Sequence, residues 1–301
     1  MRVLVIAARD DRNPLSAGGD QHTNLLARQL ASAGHSVVLL TSRHPDLPLR
    51  EEVGSLVIER VAPHRLLAPV VWAKLLAGFG TGFDLVVEDL ITGERLPFFA
   101  RVLARNRTVG FWFQDNRPLF AIAYGPLGRR AAGAVQALLM WLYQSGPVLV
   151  PSTTTRDWVL SQGVPGNRVE VYHRSTVRPV WADPGVPFDR RENRFVVIAN
   201  FRSYKRMEEA IEALELLLQS VPDARLTLLG RPDDPAYLAE LRDRARRISA
   251  SDAVDFEVGV SDERKFSILN QSKALTVHSP IEGLAWSLVE AGLSGVPVLA
   301  V

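Results

Sequence analysis

Two carboxylates near the end of the chain, Glu282 and Glu290, stand eight positions apart in His278-Ser279-Pro280-Ile281-Glu282-Gly283-Leu284-Ala285-Trp286-Ser287-Leu288-Val289-Glu290. The apolar run Ala274 to Val277 ahead of them reads as a buried parallel strand, and Trp286 to Leu293 as a helix. A strand, a glycine turn and a helix N-terminus make an anion site, because backbone N–H groups and the helix dipole face the ligand. Ser287 can cap that helix, or Ser279 the loop before it. Eight helical residues span roughly 12 Å, about the reach of a sugar plus a ribose. Each carboxylate can accept paired hydrogen bonds from neighbouring hydroxyls. The same spacing also fits two surface glutamates on a solvated turn.

A second candidate lies upstream. Arg194 to Ala199 reads as a strand, and Met207, Ala210, Ile211, Leu214, Leu217 and Leu218 follow with helical period. Between them stands Asn200-Phe201-Arg202-Ser203-Tyr204-Lys205-Arg206. An Arg fork and a compact Lys charge ahead of a helix can converge on a diphosphate. The plainer reading is a pair of helix-flanking surface cations.

Taken together, Ser279-Pro280, Glu282-Gly283, Glu290-Ala291, Gly295-Val296-Pro297-Val298 and Asn200-Phe201-Arg202 with Lys205-Arg206 resemble the signatures of retaining glycosyltransferases of family 4 (group 1). That resemblance implies the GT-B fold: α/β, two Rossmann-like domains facing across a cleft. It implies that Arg202 and Lys205 neutralise the leaving nucleoside diphosphate, that Glu282 contacts the donor sugar and that Glu290 holds the ribose. The backbone of Gly283, Leu284, Ala285, Trp286 and Ser287 would hold the diphosphate. Two positions depart from the family: Ala285 stands where Gly is common and Ser287 where Pro is common. Gly18-Gly19, in a loop before a helix expected from His22, resembles the paired glycines that let backbone approach the donor phosphate or the acceptor. Alone, such a pair reads as a flexible loop. Gly230-Arg231 and Val260 match donor-site loops that meet the nucleotide mostly through backbone groups, which hides the base. Glu88, Asp89, Gln114 and Asp115, at the ends of predicted strands, are the acceptor candidates. The family often has His where this chain has Gln114, which cannot take up a proton.

The elements that must position these residues follow from periodicity. Strands are expected at 2–7, 37–40, 85–87, 109–113, 148–150 and 169–172, and later at 194–199, 226–229, 254–258, 274–277 and 296–301. The 301 residues carry 47% hydrophobic content, no cysteine and a net charge of +2. Those values suit a globular chain of about two domains, exclude disulfides and thiolate metal sites, and give no case for nucleic acid. Met1 leads straight into a strand, so a cytoplasmic chain is expected. Segments 62–80 and Arg129 to Tyr143 mix aromatic, aliphatic and basic residues. Each reads as a buried sandwich helix or as an interfacial helix in peripheral contact with a membrane.

The expected organisation is an acceptor domain at 1–178, a linker at 179–193 and a nucleotide-sugar domain at 194–301. The last run, Val296 to Val301, is read as an unfinished strand of an incomplete second domain. The expected function is retaining transfer from a nucleoside-diphosphate sugar to a lipid-linked or polysaccharide acceptor, with no metal or cofactor. The alternatives are a GT-B sugar-nucleotide epimerase and a non-catalytic or truncated nucleotide-sugar-binding protein.

Overall fold

The computed structural model describes residues 1–16, 18–90, 96–104, 107–172, 182, 186–247 and 251–300. It divides into two compact units, Met1–Ser175 and Thr176–Val301.

The first unit runs β1 (Arg2–Ile6), α1 (Gly18–Ser32), β2 (Ser36–Ser42), β3 (Arg50–Val53), β4 (Leu56–Ala62), α2 (Leu67–Leu76), β5 (Leu85–Asp89), α3 (Ala100–Leu103), β6 (Thr108–Phe111), α4 (Arg117–Leu142), β7 (Val148–Val150), α5 (Thr153–Ser161) and β8 (Val169–Val171). Its sheet has the order β3-β4-β2-β1-β5-β6-β7-β8. Only the β3–β4 hairpin is antiparallel. The unbroken apolar run of β1 follows from burial on both faces. Val3 and Val5 pack with Leu26 and Ala27 of α1, while Leu4 and Ile6 pack with Leu67, Ala68, Val71 and Leu75 of α2.

The second unit runs β9 (Glu192–Ile198), α6 (Met207–Leu217), β10 (Arg225–Gly230), α7 (Pro235–Arg247), β11 (Val254–Val258), α8 (Asp262–Gln271), β12 (Ser272–Val277), α9 (Trp286–Leu293) and β13 (Val298–Ala300). The sheet is parallel, ordered β11-β10-β9-β12-β13. Val197 packs with α6 and α7, and its neighbour Val196 packs with Phe266 and Leu269 of α8 and Ala291 of α9. The chain grows from β9 to β11 on one side, then returns to lay β12 against the other side of β9. The helices that follow β9 and β12 therefore pack on opposite faces of the sheet, and the crevice between their entry loops is the position where open α/β sheets hold ligands.

Several elements differ from expectation. α1 starts at Gly18, four residues before His22, so Gly18 and Gly19 form its first turn rather than a preceding loop. The polar residues His22, Thr23 and Asn24 are buried on it, which hid the start from a hydrophobic pattern. β9 begins at Glu192, inside the expected linker. Arg191, also inside it, is buried and donates to the carbonyls of Val186 (3.0 Å), Ser272 (3.4 Å) and Gly295 (3.0 Å). The segment 62–80 is a sandwich helix: α2 buries Leu67, Ala68, Val71 and Leu75. Pro69 sits in its first turn, where no intrahelical donor is lost. α4 is longer than the expected 129–143 helix and bends at Gly125 (φ 65°, ψ −160°) before Pro126.

Candidate functional site

The carboxyl edge of the second sheet gathers three charged clusters. The first is built by a close backbone approach. A Cβ placed on Gly230 would lie 1.9 Å from the Ala199 carbonyl oxygen, so only glycine lets β10 leave beside the exit of β9. The two exit loops are then joined by Phe201 N–H donating to Arg231 O (2.9 Å) and Asp234 N–H donating to Phe201 O (3.0 Å). That backbone register sets Arg202 against Asp233, whose Oδ2 accepts from the guanidinium Nε (2.9 Å) and lies 2.8 Å from Nη2. Asn200 Nδ2 donates to the same oxygen (2.8 Å), and Arg231 Nε lies 3.7 Å from Oδ1.

The second cluster joins the loops after β9 and β12. Lys205 Nζ donates to Glu282 Oε1, with both side chains largely buried (14% and 27% exposed). The Lys205 ammonium also stands 5.0 Å from the Tyr204 ring centroid. The next residue, Arg206, takes a left-handed conformation (φ 49°) as it opens α6. That local strain, about 1–2 kcal/mol for a non-glycine residue, marks a turn that tertiary contacts must hold.

The third cluster lies between α8 and α9. Glu290 is buried, and its Oε1 accepts from Lys265 Nζ at 2.6 Å; Lys265 also donates to Asp262 Oδ1 at 2.8 Å. Burial works against the Lys265 ammonium, yet the Glu290 and Asp262 carboxylates outweigh it and hold its pKa above the usual lysine value. Lys265 was not read from the sequence. Its only local signal is the Asp262–Lys265 spacing on a helical first turn.

Between Glu282 and Glu290, α9 opens at Trp286 with Ala285 as N-cap and no side-chain cap. Ser287 does not cap it but lies inside the first turn, while Ser279 Oγ donates to Ile281 O (3.1 Å) within the preceding loop. Gly283, Leu284 and Ala285 form the approach to that N-terminus. Gly259 N–H donates to Gly230 O (2.9 Å), which brings the half-buried Val260 beside the Gly230-Arg231 loop.

The acceptor candidates of the first unit lie at and just beyond the ends of the neighbouring strands β5 and β6. Glu88 and Asp89 end β5 and are fully buried. Glu88 Oε2 accepts from the Tyr143 hydroxyl (2.8 Å) and the Arg101 amide (3.2 Å), so this carboxylate is anchored inside the unit. Burial, and then the Glu88 charge, push the Tyr143 phenol well above its usual pKa. Gln114 Nε2 donates to Asn116 Oδ1 (3.2 Å). Burial alone would raise the Asp115 carboxyl, but the fork of Arg117 and the amide of Gln136 (2.9 Å) hold it below the usual value. Sequence reasoning missed Asp10 and Arg60: both are buried and form a two-pronged pair (2.7 and 2.8 Å) that fixes the loop after β1.

α4 exposes Ile122, Tyr124, Leu127, Leu138 and Trp141, by 43% to 78%, and Arg129 and Arg130 are exposed as well. Residues 117–142 contain no Asp or Glu. Among the described residues no helix is long and apolar enough to cross a membrane, and no group of three or more His, Asp or Glu could hold a metal ion.

The sequence model "Glycosyltransferase Family 4" matches residues 16–175, and "Glycosyl transferases group 1" matches residues 183–301. No curated protein matches the chain. Similar solved structures include sucrose-phosphate synthase from Thermosynechococcus elongatus, with TM-score 0.77, 18% identity and coverage of 99% of this chain and 80% of that one. HepE from Anabaena, solved with UDP-glucose, gives TM-score 0.71, 17% identity and coverage of 100% and 80%. The catalytic domain of starch synthase IV from Arabidopsis thaliana, bound to ADP and acarbose, gives 0.68, 12%, and 99% and 82%.

Proposed function

The chain belongs to glycosyltransferase family 4, and from that premise we propose that it transfers a sugar from a nucleoside-diphosphate sugar with retention of anomeric configuration. The observation that carries this reading is the meeting of the β9 and β12 loops, where Lys205 contacts Glu282 beside the loop of Arg202. The bond from the anomeric carbon to the diphosphate oxygen breaks, and its electron pair leaves with the diphosphate. The acceptor hydroxyl attacks from the same face, and its proton passes to the departing phosphate. Arg202 and Lys205 stabilise the charge that develops on that phosphate, and fixed cations placed there act in the transition state. With two cations in that place the transfer needs no metal or other cofactor. Glu282 orients the donor sugar, Glu290 binds the ribose hydroxyls, and the backbone from Gly283 to Ser287 meets the diphosphate. Gly230, Arg231 and Val260 border the nucleotide. HepE was solved with UDP-glucose and starch synthase IV with ADP, so related folds accept different bases.

The test is calorimetry with UDP, GDP and ADP on the wild type and on Lys205→Ala. A charge-assisted contact to phosphate is worth about 1.5–3 kcal/mol. Breaking the Lys205–Glu282 pair on binding offsets about 0.2–1 kcal/mol of it. Lys205→Ala is thus expected to weaken the preferred diphosphate by about 0.5–3 kcal/mol; unchanged affinity in a folded variant would refute the assignment.

The acceptor we propose is lipid-linked, with the protein cytoplasmic and peripheral at the inner face of a membrane. What supports this is α4, which exposes Leu127, Leu138 and Trp141 as well as Arg129 and Arg130 and carries no acidic residue. That composition suits an anionic bilayer. The wild type should sediment with vesicles of phosphatidylglycerol, and the Leu127→Ser/Trp141→Ser variant should not. A wild type that ignores such vesicles, or that buries these residues by dimerising, would overturn the membrane reading.

A further inference from the structure

We infer that Asp233 is an internal counter-anion of the donor site: it occupies Arg202 while the site is empty, and competes with the diphosphate for that guanidinium. The inference rests on the donor-site reading above and adds a residue to it that sets affinity and release. Two neighbouring aspartates follow Gly230-Arg231-Pro232, and they do different work. Asp234 Oδ1 accepts from the Ala236 and Tyr237 amides, each at 3.1 Å, and so opens α7. Asp233 has no such task. Its carboxylate faces Asn200 (2.8 Å), Arg202 (2.8 and 2.9 Å) and Arg231 (3.7 Å). The position is imposed by backbone, through the Gly230 approach and the two hydrogen bonds joining residues 201, 231 and 234, and not by a long side chain finding a partner. Asn200 steadies the carboxylate by donating to the same oxygen, Oδ2.

Both cations assigned to the leaving group are therefore compensated before any nucleotide arrives: Lys205 by Glu282, and Arg202 by Asp233. An incoming diphosphate exchanges one anionic partner of Arg202 for another. On departure, the carboxylate returns to the guanidinium and opposes rebinding. Arg202 is 38% exposed in this pair, so solvent screens it. An exposed pair is worth about 1.5- to 5-fold in an equilibrium. Removing a like charge beside the bound diphosphate adds to that, and the total expected is about 3- to 10-fold.

The experiment measures UDP, GDP and ADP, and the matching free nucleosides, against wild type, Asp233→Asn, Asp233→Ser and Asp233→Glu. The expected result is about 3- to 10-fold tighter diphosphate binding by Asp233→Asn and Asp233→Ser, with a slower off-rate and a stronger response to salt, since the wild type only exchanges one anionic partner of Arg202 for another. Nucleosides, which carry no phosphate, should bind all four proteins alike, and Asp233→Glu should stay near wild type. A structural role alone would shift nucleosides and diphosphates together, or melt the protein. If the wild type binds a diphosphate and neither neutral variant binds it more tightly, the counter-anion role is overturned while the donor site stands. If no diphosphate binds any of the four, the donor-site reading fails, and this inference with it.

Discussion

Gly230→Ala puts the architecture of the site under direct test. The added Cβ would meet Ala199 O at 1.9 Å, Ala199 C at 2.7 Å and Asn200 Cα at 3.2 Å. All three are backbone atoms, so no side chain can swing aside. Real Cβ contacts do not fall below 3.0 Å, and the two exit loops must therefore part by about 1.1 Å. Such a shift takes the Phe201-to-Arg231 and Asp234-to-Phe201 bonds, now 2.9 and 3.0 Å, beyond hydrogen-bonding range. Each lost bond costs about 0.5–1.5 kcal/mol, and overpacking adds about 1–3 kcal/mol. The expected total, about 2–6 kcal/mol, is a large share of the about 5–15 kcal/mol that holds a domain together. Hydrogen exchange resolved to residues 195–202 and 226–234, with thermal melts, reads the effect. Protection should collapse in those two segments, and diphosphate binding should fall as Arg202 is displaced. Gly292→Ala, in the same unit, is the control, since a Cβ there meets nothing within 4 Å. Wild-type melting and intact exchange protection in Gly230→Ala would refute the close-approach reasoning.

Two further outcomes are expected. The Asp115 carboxyl titrates below its ordinary 3.8 in the folded state, so its pair with Arg117 stabilises above that pH and is lost as pH falls through the lower folded value. Asp115→Asn should melt roughly 2 °C below wild type at neutral pH, for a partly exposed pair worth about 0.5–1 kcal/mol, and the two curves should converge as the pH falls below the ordinary carboxylate range; a constant gap across pH would break the link. Glu290→Gln should weaken binding of free nucleoside diphosphate. Glu282→Gln should leave it unchanged or slightly tighter, because Lys205 loses its carboxylate partner, and should act on the sugar-bearing donor instead. Equal losses for both variants on the free nucleotide, read by calorimetry, would end the division of roles.

What the sequence displayed openly was whatever is local. The β1 run, the loop from Asn200 to Arg206 and the start of α9 at Trp286 depend on residues within a few positions of each other, and each lies where the pattern puts it. What it concealed depends on partners far along the chain. Glu88 stands at a strand end like a ligand-facing acid, but Tyr143, 55 positions away, holds it in the interior. Arg60 looks like a charge on an alternating strand, and only the fold brings it to Asp10, 50 positions back. The early start of α1 was masked because Asn24 buries its amide by donating to the carbonyls of Arg9 (2.8 Å) and Asp20 (2.7 Å). A helix that buries hydrogen-bonded polar groups shows no apolar stripe.

In both sheets the central strand is the first one made. β9 lies between β10 and β12, and β12 follows about 75 residues after β9 ends. At a ribosomal pace of about 5–20 residues per second, β9 waits roughly 4–15 s for that neighbour. During the wait one of its hydrogen-bonding edges, with Phe195, Val196 and Val197 alongside, stands open on the nascent chain. β1 faces the same delay before β5 appears. Translation speed through residues 199–271, and a chaperone that shelters open strand edges, should therefore govern how much of this protein reaches its native state. The yield would be decided at the ribosome, before either charged loop has a partner.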